Sequence, residues 1–321
     1  MDSYIKPLLR AVPYIRLYKG KVFVVKVGGS VLRKPHTLEG IAADVGALHQ
    51  LGVKVVLVHG GGPQATELAR RLGHEPQIVA GRRVTSDSDL DVAKMVYAGK
   101  INLELIASLG AVGLRAVGLS GSDGEFLKAR RRPRSAPPGG TELVDWGHVG
   151  DVTEVDARLM RLLLEGDYVP AICSLASDGQ GGVLNVNADS VAAHVAVSLS
   201  ADKLLMLTDT SGILDDAKDP DSVLSTVTPA DVEARRSAGK IFGGMLPKVD
   251  ACLLALRGGV RRTHILDGTK PHALLEEVFT NEGCGTMILG PEESRRYESE
   301  VEAAQEDEEE QPGGAPRIDP S

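Results

Sequence analysis

Two apolar runs that each end in a cluster of glycines constrain this chain most. Val22-Phe23-Val24-Val25-Lys26-Val27 leads into Gly28-Gly29-Ser30, and Val53-Lys54-Val55-Val56-Leu57-Val58 leads into His59-Gly60-Gly61-Gly62-Pro63. Both runs are short, β-branched and almost continuously apolar, the pattern of a strand buried on both faces of a parallel sheet. Between them Ile41, Val45 and Leu48 recur at i, i+4 and i+7, one face of a helix. The three pieces read as a βαβ unit, which predicts a right-handed crossover. Similar strands are expected at 115–119, 169–174, 203–208 and 262–266, separated by helical stretches. The expected fold class is α/β: a three-layer α/β/α open sandwich around a mainly parallel central sheet. Aromatic residues make up only 3% of the chain, which suits such close-packed layers better than a β-sandwich.

Residues 126–155 break this rhythm. They hold a basic run from Lys128 to Arg134, the turn-rich Pro137-Pro138-Gly139-Gly140, and short alternating pieces such as 141–144, so β-hairpins projecting from the sheet are expected. The basic run could meet an acidic partner, though a solvated hairpin is the safer reading. Before the first strand Leu8, Val12 and Ile15 lie on one helix face, and Pro13 should kink that helix. Its apolar stripe needs a cover, either its own domain or a second subunit. The thirty-one residues after Gly290 carry eleven acids and three arginines, with few apolar positions, and are expected to be a disordered acidic tail.

That tail accounts for the whole formal net charge of −8. The chain has 36 Lys and Arg against 44 Asp and Glu, so the first 290 residues hold 33 of each. A neutral body argues against a nucleic-acid or anionic-membrane surface, both of which need clustered cations. No apolar run reaches the 18 or so residues of a membrane helix, and the start has no signal-peptide order, so a cytoplasmic protein is expected. Cys173, Cys252 and Cys284 are too few and too scattered for a disulfide frame or a metal site, and the first two read as buried structural thiols.

The glycine turns carry the chemistry. Glycine lets backbone approach a ligand closely, and a strand-to-helix turn aims several N–H groups at one point. Two such turns after neighbouring parallel strands make an anion cradle at the carboxyl edge of the sheet. Neither is a P-loop, and no GxGxxG follows a strand, which disfavours a dinucleotide enzyme. Lys26 sits in an otherwise apolar strand two residues before Gly28, so its ammonium must reach either water or an anion. Asn185-Val186-Asn187-Ala188-Asp189 precedes the apolar helix at 191–199, where one helix cap explains one polar residue but not three. Gly243-Gly244-Met245-Leu246-Pro247-Lys248 opens another helix and puts a cation in its first turn, which the macrodipole disfavours unless an anion faces it.

Taken together, Lys26-Val27-Gly28-Gly29, His59-Gly60-Gly61-Gly62, Gly81-Arg82-Arg83-Val84-Thr85, Val117-Gly118-Leu119-Ser120-Gly121, Asn185 to Asp189, Leu207-Thr208-Asp209-Thr210-Ser211-Gly212 and Gly244 to Lys248 resemble, in order and spacing, the amino acid kinase family over about residues 8–290. Specifically, they resemble its members that act on N-acetyl-L-glutamate. This resemblance implies transfer of the ATP γ-phosphoryl group to the side-chain carboxylate of N-acetyl-L-glutamate, the second step of arginine biosynthesis. It implies Lys26, Lys248 and Asp189 as catalytic residues, with the two lysines on opposite sides of the phosphoryl group and Asp189 between them. It implies substrate contacts from Gly61, Gly62, Arg83, Asn185 and Asn187. Nucleotide contacts are implied for Gly28, Gly29, Thr208, Asp209, Gly212, Leu214, Lys240, Gly243 and Gly244. Mg²⁺ would be held by ATP phosphates and water, with no protein cage. The implied division is an N-terminal helix at 1–20 for oligomerisation and regulation, an acetylglutamate-binding and dimerisation lobe at 21–180, a nucleotide lobe at 181–290, and the tail at 291–321.

The N-terminal helix resembles the extension of arginine-inhibited members, which interlaces dimers into hexamers, so a homo-oligomer is expected. The same likeness implies an L-arginine site at Tyr14, His264, Glu282 and Gly285, although Glu282 and its neighbours could form an ordinary loop. Arg82 departs from the family's apolar residue and adds a cation beside the substrate pocket. Two rival readings are a kinase for an N-blocked aminoadipate, one methylene longer, and a catalytically silent amino-acid sensor, which would not need Lys26, Asp189 and Lys248 together.

Overall fold

Alternate residues of the central strands point into two different hydrophobic cores. Val24, Val56, Val58, Ile172, Leu204, Met206 and Ile265 face one, and Phe23, Val25, Val27, Val55, Leu57, Leu205 and Leu207 face the other. A sheet buried on both faces needs helices on both, and this is the arrangement in the computed structural model, which describes residues 11–80, 82–137, 140–216, 218–280, 283–290 and 292–296.

A helix over residues 11–18 (α1) precedes β1 (Val22–Val27), α2 (Pro35–Gln50), β2 (Lys54–His59), α3 (Gly62–Arg71), the short pair β3 (Ile78–Val79) and β4 (Arg82–Arg83), α4 (Asp87–Ala93), a π-helical stretch (Lys94–Ile101), α5 (Asn102–Ala111) and β5 (Ala116–Leu119). There follow β6 (Leu127–Arg131), β7 (Val149–Val155), α6 (Arg158–Glu165), β8 (Val169–Cys173), β9 (Leu175–Ser177), β10 (Val183–Val186) and α7 (Ala188–Ser198). The chain continues through β11 (Lys203–Thr208), β12 (Thr226–Val227), α8 (Pro229–Ser237), α9 (Met245–Arg257), β13 (Arg262–Asp267), α10 (Ala273–Phe279) and β14 (Thr286–Leu289). The eight-stranded sheet runs β12-β14-β13-β11-β1-β2-β8-β5, and only the β13–β14 pair is antiparallel. Helices α7 and α9 bury Val191, Ala192, Val195, Val249, Cys252 and Ala255 in the first core, while α2 and α5 bury Ile41, Val45, Leu48, Leu105 and Leu109 in the second. Strand β1 lies at the middle, with Lys26 opposite Val58 of β2 and Met206 of β11.

The expected free hairpins at 126–155 are instead part of a closed four-stranded barrel, β10-β7-β6-β9. Strands β6 and β7 do pair antiparallel, but β10 lies parallel to β7, with Asn185 opposite Val149, and β9 closes the ring. Closure removes exposed strand edges, which a lone hairpin would leave open. Residues 141–144 form no strand beyond an isolated bridge between Ser135 and Val144, and the buried Trp146 donates its indole N–H to Ser135 Oγ at 2.9 Å. Four of the five cations of the basic run have acidic neighbours: Lys128 faces Glu154, Arg131 and Arg134 face Asp145, and Arg132 pairs with Asp151 at 2.5 Å.

Pro13 lies within α1, and Leu8 is outside the described residues. Tyr14 of α1 stacks at 6.3 Å on Tyr18, which is buried edge-on against Phe23. At the other end residues 292–296 form a helical turn, and Glu293 pairs with the buried Arg262 at 2.8 Å, so the first residues of the expected acidic tail belong to the folded body. Of that tail, residues 291 and 297–321 lie outside the described residues.

Candidate active site

The site begins at the carboxyl ends of β1 and β2. Gly28 N–H donates to Leu207 O at 3.0 Å, locking the first glycine turn onto β11. A Cβ at Gly29 would lie 2.9 Å from Pro63 and 3.2 Å from the Gly61 Cα, so the two turns touch and only glycine fits between them. Gln64 braces them further, its amide donating to Gly29 O at 2.7 Å. On the other side of the second turn, a Cβ at Gly61 would meet Ile101 at 2.5 Å and the Tyr97 ring at 2.7 Å. Both residues come from the π-helical stretch, a form of helix that recurs at functional sites.

Lys26 and Asp189, both buried, meet over this cradle with Nζ 2.7 Å from Oδ1. Asp189 reaches it from the first turn of α7, whose N-cap is Asn187, its Oδ1 accepting from the backbone N–H of Asp189 at 2.7 Å and of Ser190 at 3.1 Å. Burial acts to raise the Asp189 pKa, but the ammoniums of Lys26 and Lys248 outweigh it and hold the carboxyl below its usual value. Lys248 opens α9 and donates to Gly244 O at 3.0 Å; its pKa is lowered, chiefly by burial. One buried carboxylate thus faces two lysines from different helices and strands.

Arg83 of β4 points into the same region. Its Nη2 donates to Gly62 O at 3.0 Å and to Thr66 Oγ1, and Nη1 lies 3.7 Å from Asp89. Asp89 is itself fixed by the capping box of α4 with Ser86 and by His74 at 3.0 Å. Asn185 donates to Thr85 Oγ1 at 3.1 Å. A cavity of about 400 Å³ is lined by Arg82, Arg83, Arg132, Asn185, Asn187, Ser190 and Asp250 among others. The structure therefore brings together Lys26, Gly28, Gly29, Gly61, Gly62, Arg83, Asn185, Asn187, Asp189 and Lys248. Gln64, Thr66 and Asp89 are additions to the expected set; the only signal for Gln64 was its place two residues after the glycines.

The expected nucleotide residues follow the end of β11. Thr208 Oγ1 donates to Asp209 at 3.2 Å, Gly212 adopts φ +147°, Leu214 bridges to Val223, and Lys240 pairs with Asp215 at 3.2 Å. Gly243 has φ +56°, next to Phe242, which is 60% exposed.

A second polar cluster is buried beside α1. His264 of β13 donates from Nδ1 to Glu277 Oε1 at 2.7 Å and accepts on Nε2 from Lys203 Nζ at 3.2 Å. Burial, then the Lys203 ammonium, press the imidazole pKa down to about 4. Gly285 and Cys284 N–H groups donate to Glu277 Oε2 at 2.9 and 2.8 Å, and Lys203 Nζ lies 5.0 Å from the Tyr18 ring centre. Of the expected arginine-site residues, His264 and Gly285 meet at Glu277, Tyr14 stacks on Tyr18, whose ring faces Lys203, and Glu282 lies outside the described residues. Buried Cys173 and Cys252 thiols are pushed up to about 12, as suits inert packing residues.

The model of the amino acid kinase family matches residues 21–267. An acetylglutamate kinase of Symbiobacterium thermophilum is 44% identical over 282 residues, 88% of this chain and 96% of that protein. One of Myxococcus xanthus is 46% identical over 90% of this chain and 94% of its own length. Among solved structures, the Neisseria gonorrhoeae N-acetylglutamate synthase complexed with coenzyme A and N-acetyl-glutamate aligns with TM-score 0.77 at 31% identity, covering 90% of this chain and 64% of that one. Giardia lamblia carbamate kinase shares the fold, with TM-score 0.62 at 19% identity over 84% of this chain and 99% of its own. The chain belongs to the amino acid kinase family, on its acetylglutamate kinase branch.

Proposed function

We propose that the chain transfers the γ-phosphoryl group of ATP to the side-chain carboxylate of N-acetyl-L-glutamate, forming an acyl phosphate, with Lys26, Asp189 and Lys248 around the reacting atoms. The observation that carries this reading is the buried Asp189 carboxylate, paired at 2.7 Å with Lys26 and flanked by Lys248 beside two touching glycine turns. Phosphoryl transfer is mainly a matter of position and charge. The acceptor carboxylate is ionised at neutral pH, so no general base is required. Lys26 and Lys248 take up the charge on the transferred group from two sides, and Asp189 keeps the two ammoniums from repelling each other. Gly28, Gly29, Gly61 and Gly62 present backbone N–H groups to phosphate and carboxylate oxygens. Arg83, already aimed by Thr66 and Asp89, takes the α-carboxylate with its planar fork. Asn185 and the Asn187 amide take the acetamido end.

ATP lies against Thr208 to Leu214 and Lys240 to Gly244. In this reading Mg²⁺ arrives with the nucleotide, held on phosphates and water, and the Asp189 carboxylate is committed to the lysines. The ion adds charge stabilisation to the phosphates. A hydroxamate assay with ATP tests the reading: turnover of acetylglutamate should exceed that of free glutamate and of N-acetylaminoadipate. Preference for the longer acid would replace the acceptor named here.

L-arginine, in this reading, inhibits through the Glu277 cluster, since a buried carboxylate is the natural partner of a guanidinium. Support comes from the gonococcal synthase, which was also crystallised with coenzyme A and L-arginine and is 29% identical over 90% of this chain. Helix α1, next to that cluster, would then join dimers into a larger ring. Deleting residues 1–20 should give a smaller particle by light scattering and weaken arginine inhibition in the same assay; an unchanged particle size rejects the assembly role.

A further inference from the structure

His59 is the last residue of β2, wholly buried, and has no place in the reaction described above. Its two ring nitrogens are both engaged. Nδ1 lies 3.1 Å from the carbonyl oxygen of Gly60, which can only accept, so Nδ1 carries the proton. Nε2 lies 3.0 Å from Asn102 Nδ2, which can only donate, so Nε2 is the acceptor. The Asn102 amide orientation is set in turn, because the same nitrogen donates to Ala171 O at 3.0 Å. One neutral tautomer satisfies every partner. Protonation would set N–H against N–H, and burial presses the ring pKa down to about 4, so this tautomer persists across the working pH range.

The consequence falls on the next peptide. In a trans peptide the carbonyl and the N–H point in opposite directions. Drawing Gly60 O into the protein therefore turns the Gly61 N–H outward, at the start of α3, where it has no hydrogen bond within the described residues. The same glycine is pinned from the side by Ile101 and Tyr97. A flexible glycine triplet would otherwise sample both orientations of this peptide. We propose that His59, held by Asn102, is a positioning residue that fixes the Gly60 carbonyl so that the Gly61 N–H faces the reacting carboxylate and phosphoryl oxygens. This rests on the acetylglutamate kinase reading of the cradle.

Two substitutions separate the ring nitrogens. His59→Asn places an amide N–H where Nδ1–H was, whereas His59→Gln extends toward Asn102 and gives up the bond to Gly60. His59→Gln should lower kcat on the order of 10- to 100-fold, since a preorganised donor is lost from the site. KM for ATP should change less than about threefold, because the nucleotide side is untouched, and His59→Asn should recover most of kcat. Equal losses in the two variants, or no loss in His59→Gln, overturn the proposal. Should either variant fail to fold, ¹⁵N spectra of the histidine-labelled wild-type chain decide: a neutral Nδ1–H ring at His59 at neutral pH is expected, and the Nε2–H tautomer overturns it. A wild-type chain inactive toward acetylglutamate would instead count against the parent reading, while leaving the tautomer measurement intact.

Discussion

Replacing Lys248 with methionine is expected to lower kcat about 10²- to 10³-fold, the scale for losing one preorganised charge stabiliser, with little change in thermal midpoint. The two halves of that expectation have different origins. Lys248 is half-buried in the first turn of α9 and donates its hydrogen bond to Gly244 at the start of its own helix, so the fold leans little on its charge. Methionine keeps the length of the stem and removes only the ammonium. Lys26→Met makes the contrast, because it strips Asp189 of its 2.7 Å partner inside the core. It should cost a comparable factor in kcat and also lower the thermal midpoint. Hydroxamate turnover beside a melting curve for both variants gives the comparison, and near-normal turnover in Lys248→Met would remove that lysine from the reacting centre.

Asp189→Asn should be the more damaging change. An amide cannot separate two ammoniums, and breaking a buried ion pair from one side typically costs about 3–5 kcal/mol of stability. We expect kcat to fall about 10³-fold, at the upper end for one electrostatic group, together with a clear drop in melting temperature. The loss has a pH signature. Because the folded Asp189 pKa lies below the unfolded value of 3.8, its stabilising contribution is complete above that value and disappears as pH falls through the lower folded one. The stability gap between wild type and Asp189→Asn should therefore be wide at neutral pH and close below about pH 4, which differential scanning fluorimetry across pH can follow. A gap that stays constant into acid would mean that the carboxylate contributes through shape rather than charge.

Much of this site was legible because its members are local anomalies. A lysine in an apolar strand, glycines where a strand should turn, and three polar residues ahead of one helix each stand out without reference to anything distant. The central strands were equally plain, since β1, β2, β8 and β11 are apolar runs with turn residues behind them. The barrel was not plain. Leu175–Ser177 and Val183–Val186 are too short to carry a period, and β10 becomes a strand only by lying between β9 and residues 149–150 of β7. The supports of Arg83 were hidden for a similar reason: Thr66 and Asp89 look like ordinary helix residues until α3, α4 and β4 are folded together. Lys203 escaped notice because it opens its strand, where a lysine normally reaches water, yet it is only 2% exposed. Long-range pairing, rather than composition, decides such cases.

The junction of β10 and α7 sets a limit on how the gene can change. Asn185 on the barrel strand, Asn187 at the helix cap and Asp189 in the first turn span five residues, so contacts at the acceptor end and the charge balance at the phosphoryl end share one stretch of chain. A single inserted or deleted residue there would flip side chains to the opposite strand face and rotate those beyond it by about 100° around the helix. Length variation among relatives should therefore be absent between 185 and 189 and concentrated in exposed connections away from the cavity.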